Sequence, residues 1–312
     1  MSNVTEDVPS FLENCLAASG IFLTAGSGFI AYGSLLVAIG KNRTKFKNSF
    51  YALVFSLGVS DCSMLALYLL YSVPCTLLQS HVLGESFDKA MGVICNLTYY
   101  SSLPALASIA VNRYWAICRS KSFARTYSSF RVNINIGICW LIGLVACSFQ
   151  AFPCCHLRYY FDLYAWSYDV SLPGFPYYSK WENSFVFGVA CITVLSYVPI
   201  FLERRKTKNR VKAHGTQQKQ AEKDKRKELK LAVQFVAVAV YAVFFAVVFT
   251  TLPLFTEYRW HLFISTLVYI GNCSINPYIY IAMSSSVRAA VLALFGLTIT
   301  EDAEGTTEAN RK

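Results

Sequence analysis

Long apolar runs separated by short polar links dominate this chain. They lie near residues 15–40, 50–77, 90–117, 132–152, 183–202, 231–254 and 260–283. A helix needs about 20 mostly apolar residues to cross roughly 30 Å of hydrocarbon, and each run meets or approaches that length. In lipid a chain must satisfy its own backbone hydrogen bonds, which restricts spanning elements to helices and closed barrels. Barrel strands alternate in polarity over about 10 residues; these runs are continuous. One such run is often a buried core helix, but seven of them leave no soluble remainder to cover them. The pattern predicts an all-α membrane protein: a seven-transmembrane helix bundle over 15–283, an outer tail over 1–14, and a short inner tail over 284–312.

Composition agrees. The chain has 312 residues, 55% hydrophobic and 15% charged, where a soluble domain carries roughly 25% charged residues. Length alone would suggest about two soluble domains; the apolar runs replace that with one membrane domain. Most of the 11 cysteines sit inside the runs, where they serve as small apolar packers. No C-x-x-C pair occurs, so neither a zinc site nor a redox motif is indicated.

The net charge of +10 is unevenly placed. Lys41, Arg43, Lys45 and Lys47 follow the first run; Arg119, Lys121, Arg125 and Arg131 follow the third; the link 203–230 is the most basic. The opposite side holds only Lys89, Arg158, Lys180 and Arg259. By the positive-inside rule the basic links are cytoplasmic, so the N-terminus is expected outside and the C-terminus inside. A basic run can bind nucleic acid, but here it is a loop between two spans; the expected contacts are the bilayer and a cytoplasmic partner, not nucleic acid. Asn3-Val4-Thr5 is a glycosylation sequon in the outer tail. The start lacks a basic n-region and a cleavage site, so the first span is expected to act as an uncleaved anchor.

Ionisable and polar groups inside a membrane are costly and mark candidate functional positions. Asp61 lies midway along the second run. Asn272, Ser274 and Asn276 cluster in the last, where Asn276-Pro277 opens Asn276-Pro277-Tyr278-Ile279-Tyr280; the proline removes a backbone donor and permits a kink. Asn112-Arg113-Tyr114 closes the third run at its inner end.

In this order and at these depths, the motifs resemble the rhodopsin-like G-protein-coupled receptor superfamily over nearly the whole chain. The matching parts are Leu57-Gly58-Val59-Ser60-Asp61, Asn112-Arg113-Tyr114, Trp140, and Asn276-Pro277 with Tyr280, together with the basic third inner loop and an amphipathic segment (Val287, Val291, Leu294, Phe295) after the last run. Within the superfamily the chain looks most like the nematode chemosensory serpentine receptors of the class X type. The resemblance implies a chemoreceptor of the plasma membrane, of a sensory cilium in such animals, engaging a heterotrimeric G protein around Asn112, Arg113, Tyr114, Tyr197, Asn276, Pro277 and Tyr280. It implies a small-molecule or peptide ligand in the outer half of the bundle, near Cys95, Asn96, Tyr99, Tyr100, Thr250, Thr251, Phe255, Trp260, Ser265 and Tyr269. It implies no catalytic cofactor, and a polar core of Asp61, Ser102, Asn272 and Asn276 that either holds a sodium ion, since oxygen ligands suit a hard cation, or closes on a direct Asp61–Asn276 hydrogen bond.

Departures from the superfamily pattern are specific. Asn112 stands where an acid usually precedes the arginine, Ser34 where the first span carries Asn, and Thr251 where the sixth carries Trp. Pro199 lies near the inner end of the fifth span. The third-span cysteine position is Asp88, and the outer loop 156–182 contains no cysteine; Cys75, Cys95, Cys154 and Cys155 are the nearest outer candidates and sequence cannot pair them. Cys95 occupies the position where amine receptors carry Asp; no carboxylate there could pair a ligand ammonium, so a biogenic amine is disfavoured.

Two other classes fit less well. A secondary transporter would show internal repeats and paired broken helices, and only the last run carries an Asn-Pro break. An enzyme would need a catalytic constellation, but the four His are scattered and neither H-E-x-x-H nor G-x-S-x-G occurs. A non-signalling seven-span protein stays open on these residues alone.

Overall fold

The computed structural model describes residues 9–151, 155–169, 171–211 and 258–297. The sixth apolar run with Thr250, Thr251 and Phe255, most of the basic link, Cys154 and the Asn3 sequon lie outside the described residues.

The described residues form the helices α1 (Phe11–Lys41), α2 (Ser49–Leu67), α3 (Val73–Leu78), α4 (Glu85–Cys118), α5 (Ser120–Thr126), α6 (Ser129–Ser148), α7 (Phe175–Val211), α8 (Tyr258–Met283) and α9 (Ser285–Leu294). A π-helical turn, Tyr68–Ser72, joins α2 to α3 as one span. It immediately precedes Pro74, whose missing N–H breaks the regular ladder and permits the wide turn. Among the described residues, five spans are long and apolar enough to cross a membrane singly, and α8 with α9 makes a further pair bent by 103°. They correspond to the first to fifth and seventh predicted runs.

The ends differ from the hydrophobic count where polar chemistry sets them. α1 starts at Phe11 rather than Cys15, because Ser10 and Glu13 form a capping box: Ser10 N–H donates to Glu13 Oε2 at 2.7 Å and Glu13 N–H to Ser10 Oγ at 3.3 Å. The outer tail is therefore shorter than residues 1–14. The S-x-x-E signature was present in the sequence, but Glu13 and Asn14 look like tail to an apolar count. Asn48 caps α2 by accepting from Tyr51 N–H at 3.1 Å.

α4 runs through the middle of the bundle, packed against α2, α6 and α7, while α8 lies along α1. Side-chain hydrogen bonds tie the spans together: Trp140 Nε1 donates to Ser56 Oγ at 3.1 Å and Ser108 Oγ to Asn135 Oδ1 at 2.9 Å. Large apolar side chains point away from the bundle on α1, α6 and α7, among them Ile30, Leu144, Phe187 and Leu195. With lipid as the solvent that is the stable arrangement, since apolar faces then meet hydrocarbon.

Two features refine the sequence reading. The helical bundle carries a β-hairpin in the loop before α7: β1 (Leu157–Tyr160) pairs antiparallel with β2 (Ala165–Tyr168), Leu157 opposite Tyr168 and Tyr160 opposite Ala165. The amphipathic helix after the last span is α9, capped by Ser284, with Val287 and Val291 buried. Phe295, expected on its apolar face, instead follows the helix and is exposed.

Candidate functional site

Midway through the bundle, Asp61 Oδ2 accepts from Tyr32 Oη at 2.7 Å and from Asn276 Nδ2 at 3.2 Å. All three side chains are buried. Tyr32 was not among the sequence candidates. Counting along the first span pointed to Ser34, whose hydroxyl donates to its own helix at Ile30 O, 2.8 Å away. Gly58 makes the substitution sterically feasible: a Cβ there would collide with the Tyr32 ring. Tyr32 thus reaches Asp61 from one turn away, across a gap that a larger residue at 58 would fill.

Beside this cluster lies a cavity of about 40 Å³ lined by Asp61, Tyr99, Ser102, Tyr269, Asn272 and Asn276. Asn272 Oδ1 and Asn276 Oδ1 are buried with no hydrogen-bond partner among the described residues, and Ser102 Oγ donates to Tyr99 O at 2.9 Å. A water needs about 10–15 Å³ of such space and two to four polar partners. The cavity therefore has room and acceptors for a small hydrated cation. Ser274 faces away from it, donating to Ile270 O at 2.8 Å and packing on Gly28.

At the inner end of α4, Arg113 is 2% exposed. Its Nη2 donates to Asn112 Oδ1 at 2.8 Å, Asn112 Nδ2 donates to Ser49 Oγ at 3.0 Å, and the guanidinium lies 4.1 Å from the centre of the Phe50 ring. Phe50 in turn meets Tyr280 edge-on with ring centres 6.2 Å apart. Tyr197, buried, lies within electrostatic reach of both Arg113 and Tyr280. The structure thus brings together Asn112, Arg113, Tyr197 and Tyr280, and adds Ser49 and Phe50. Tyr114 is half-buried, its ring edge-on to Trp115 with centres 6.3 Å apart. Pro277 sits within α8, one residue beyond the Asn276 that holds Asp61.

The outer end of α4 carries the opposite charge. Asp88 is fully buried and accepts from Tyr71 Oη at 2.9 Å, from Tyr159 N–H at 3.2 Å and from Arg158 Nε at 3.4 Å. His81 Nδ1 lies 3.6 Å away, and Arg158 also pairs with Glu85 at 3.7 Å. The hairpin backbone sits so close that a Cβ on Gly92 would strike the Leu157 carbonyl. Where the superfamily pattern has a cysteine, this chain has an acid that fastens the outer loop without a covalent bond; Cys75 and Cys95 are free thiols.

Further bonds hold the hairpin across the mouth of the bundle. Tyr159 Oη and Thr76 Oγ1 are 2.6 Å apart, Trp166 Nε1 donates to Ser72 Oγ at 3.0 Å, Tyr168 Oη to Asn96 Oδ1 at 3.1 Å, and Tyr164 Oη to Asn14 Oδ1 at 2.8 Å. Tyr164 takes a positive φ of 55° at the hairpin turn, its ring packed on Trp260 and Phe263. Burial pushes its phenol up to about 12. Among the ligand candidates, Tyr99 and Tyr269 face each other at 6.0 Å while Tyr100 turns toward Trp181 and Phe185 on α7. Cys95 Sγ lies 3.7 Å from Met64 Sδ, so it packs rather than presents a polar group. Ser265 is buried, its hydroxyl unpaired among the described residues.

A buried acid in the second span, an arginine buried at the inner end of the third, an Asn-Pro break in the seventh and a tethered outer hairpin define a rhodopsin-type receptor fold. The crystal structure of squid rhodopsin superposes with a TM-score of 0.80, covering 95% of this chain and 85% of that one at 16% identity. Residues 22–274 match the model of the serpentine type 7TM GPCR chemoreceptor family Srx, and the chain belongs to that family. It is also similar to melatonin receptor type 1B of Rattus norvegicus, 30% identical over 127 residues, which is 40% of this chain and 34% of that protein. The octopamine receptor of Bombyx mori is 29% identical over 173 residues, 51% of this chain and 33% of the relative. These alignments span about a third of the relatives' own length.

Proposed function

We propose that the chain is a chemosensory G-protein-coupled receptor of the plasma membrane, with its N-terminus outside and its C-terminus inside. A small molecule or peptide in the outer half of the bundle favours one of two helix arrangements, and transduction is that population shift. A heterotrimeric G protein enters at the inner end. The observation that carries this reading is the inner cluster: Arg113 is buried, with the Asn112 amide and the Phe50 ring among its partners and Tyr197 and Tyr280 within electrostatic reach. The amide oxygen of Asn112 offers the guanidinium a dipole where a carboxylate would offer a full opposite charge, a weaker restraint at this position. Arg113 stands where a partner would enter between α4, α7 and α8. Basic side chains in the inner loops add attraction to anionic lipid, about 1 kcal/mol each near the surface.

No chemistry in this cycle needs a catalytic cofactor. Asp61, Ser102, Asn272 and Asn276 fit a sodium ion: a carboxylate, a hydroxyl and two amide oxygens without partners line one cavity. A bound cation would hold the second, third and seventh spans together and so favour the resting arrangement. Tyr32 competes with it for Asp61 Oδ2.

The test is basal and odorant-stimulated G-protein activation in cells expressing the chain, with Arg113→Ala as control. Signal that the variant removes supports the reading; surface-expressed parent chain that activates no G protein refutes it.

A further inference from the structure

Glu182 lies in the third turn of α7, half-buried, on the outer side of the bundle. It stands one helical turn beyond Tyr178 on the same face of α7, and lies within electrostatic reach of Tyr99, Tyr100, Tyr168 and Tyr178. These four tyrosines come from three elements: α4, β2 of the hairpin, and α7 itself. They also interlock, since Tyr178 Oη donates to Tyr100 Oη at 3.1 Å and the rings of Tyr168 and Tyr178 meet edge-on at 5.1 Å.

A carboxylate in such a place normally has a counter-charge, because burying a lone charge is costly. Among the described residues no Lys, Arg or His forms an ion pair with Glu182. In the sequence, residues 231–257 contain no Lys, Arg or His. Of the outer cations, Arg158 is engaged by Asp88 and Glu85, Arg259 lies near Glu13 and Tyr164, and Lys180 is exposed. The groups within reach of Glu182 are tyrosines, and an aromatic ring attracts a cation electrostatically.

The geometry points to Glu182 and the ring of Tyr99, Tyr100, Tyr168 and Tyr178 as a recognition site for an organic cation, a protonated or quaternary ammonium carried by the ligand. This assigns a ligand class to the receptor reading and rests on it. It also relocates the charge: the third-span position holds Cys95, and the acid stands instead on the fifth span. Asn96 shares a helix face with Tyr100, one turn away. Its Nδ2 is buried without a partner, a donor suited to an acceptor group next to the cation. Tyr99 connects the site to the centre of the bundle, since it also lines the cavity beside Asp61. A ligand that moves Tyr99 therefore acts directly on the polar core.

The full-length chain in lipid nanodiscs is titrated with phenethylammonium and benzyltrimethylammonium, and with their neutral isosteres propylbenzene and neopentylbenzene, reading thermal stability and Trp fluorescence. At least one ammonium probe is expected to stabilise the protein saturably, its isostere not. Glu182→Gln is expected to weaken that binding about thirty-fold or more, as for truncation of one partner of a buried charge pair, and Glu182→Asp less. Failure of both cations, or equal binding by cation and isostere, overturns the site; neither needs a variant to fold. Undiminished binding by Glu182→Gln overturns it too. Binding is read without a G protein, and Arg113→Ala is expected to bind the probe like the parent chain. A chain that binds ammonium but never signals would sink the receptor reading alone; one that signals but binds neither cation would sink this site alone.

Discussion

The two ends of the third span are built on opposite principles. About 38 Å apart along one helix, at 1.5 Å per residue, Asp88 and Arg113 are both buried and both charged. Asp88 is held by an arginine, a phenol and a backbone N–H, two of which come from the outer loop. Arg113 has an amide and a ring among its partners, where the superfamily pattern would place an acid. The outer end is a latch and the inner end a catch. A receptor needs a steady mouth to present a ligand site and a releasable inner end to admit a partner, and the difference in partner chemistry supplies both.

Breaking the latch should have the largest effect on stability. Asp88→Ala strands the partly buried Arg158 guanidinium and unfastens the hairpin, and removal of one member of a buried pair costs about 3–5 kcal/mol. Thermal unfolding in nanodiscs should show the loss, with Arg158→Ala showing less of it. Tyr32→Phe should cost about 1–3 kcal/mol, the penalty for leaving a buried acceptor short of a donor. Because it vacates one side of Asp61, it should also increase the stabilisation that sodium gives over potassium. A variant with no loss and no change in sodium response would mean that Tyr32 does not compete for the carboxylate.

Strengthening the catch should act on signalling more than on stability. Asn112→Asp gives Arg113 an opposite full charge in place of an amide dipole, a stronger restraint, and should lower basal G-protein activation. An unchanged basal level would remove the restraint argument. The smallest effect concerns Asp169 in the outer loop, whose carboxyl the Ser171 hydroxyl and N–H hold below the usual range. A depressed folded-state value means stability that is present above the unfolded carboxyl value of about 4 and lost as pH falls through the folded one. Asp169→Asn should therefore be slightly less stable than the parent at neutral pH, the difference shrinking as pH falls below about 4 and vanishing below the folded-state value.

The sequence was most legible where lipid dictates the rule. Twenty apolar residues have few other uses, so the spans and the buried positions of Asp61, Asn276 and Arg113 could be read directly. What escaped was what depends on two distant segments meeting. Tyr32 looks like an ordinary aromatic in an apolar run until Gly58 opens the space that lets it reach Asp61. Ser49 and Phe50 begin the second span, and nothing in their own surroundings marks them as seats for Arg113. Asp88 stood out as the wrong residue for a disulfide, but Arg158, Tyr159 and Tyr71 lie on other elements. The Tyr- and Trp-rich stretch 159–178 read equally well as a cover or as interfacial anchoring, and its hairpin pairing supplies the distinction. Glu182 was hidden at the edge of the fifth run, where a carboxylate ordinarily marks the end of a span.

The central claim is that Arg113 couples the bundle to a G protein. It is tested most directly by measuring nucleotide exchange on purified heterotrimers added to nanodiscs holding the parent chain, Arg113→Ala or Asn112→Asp. The account predicts activation by the parent chain, less by Asn112→Asp and none by a folded Arg113→Ala. Exchange by Arg113→Ala equal to the parent's would contradict it.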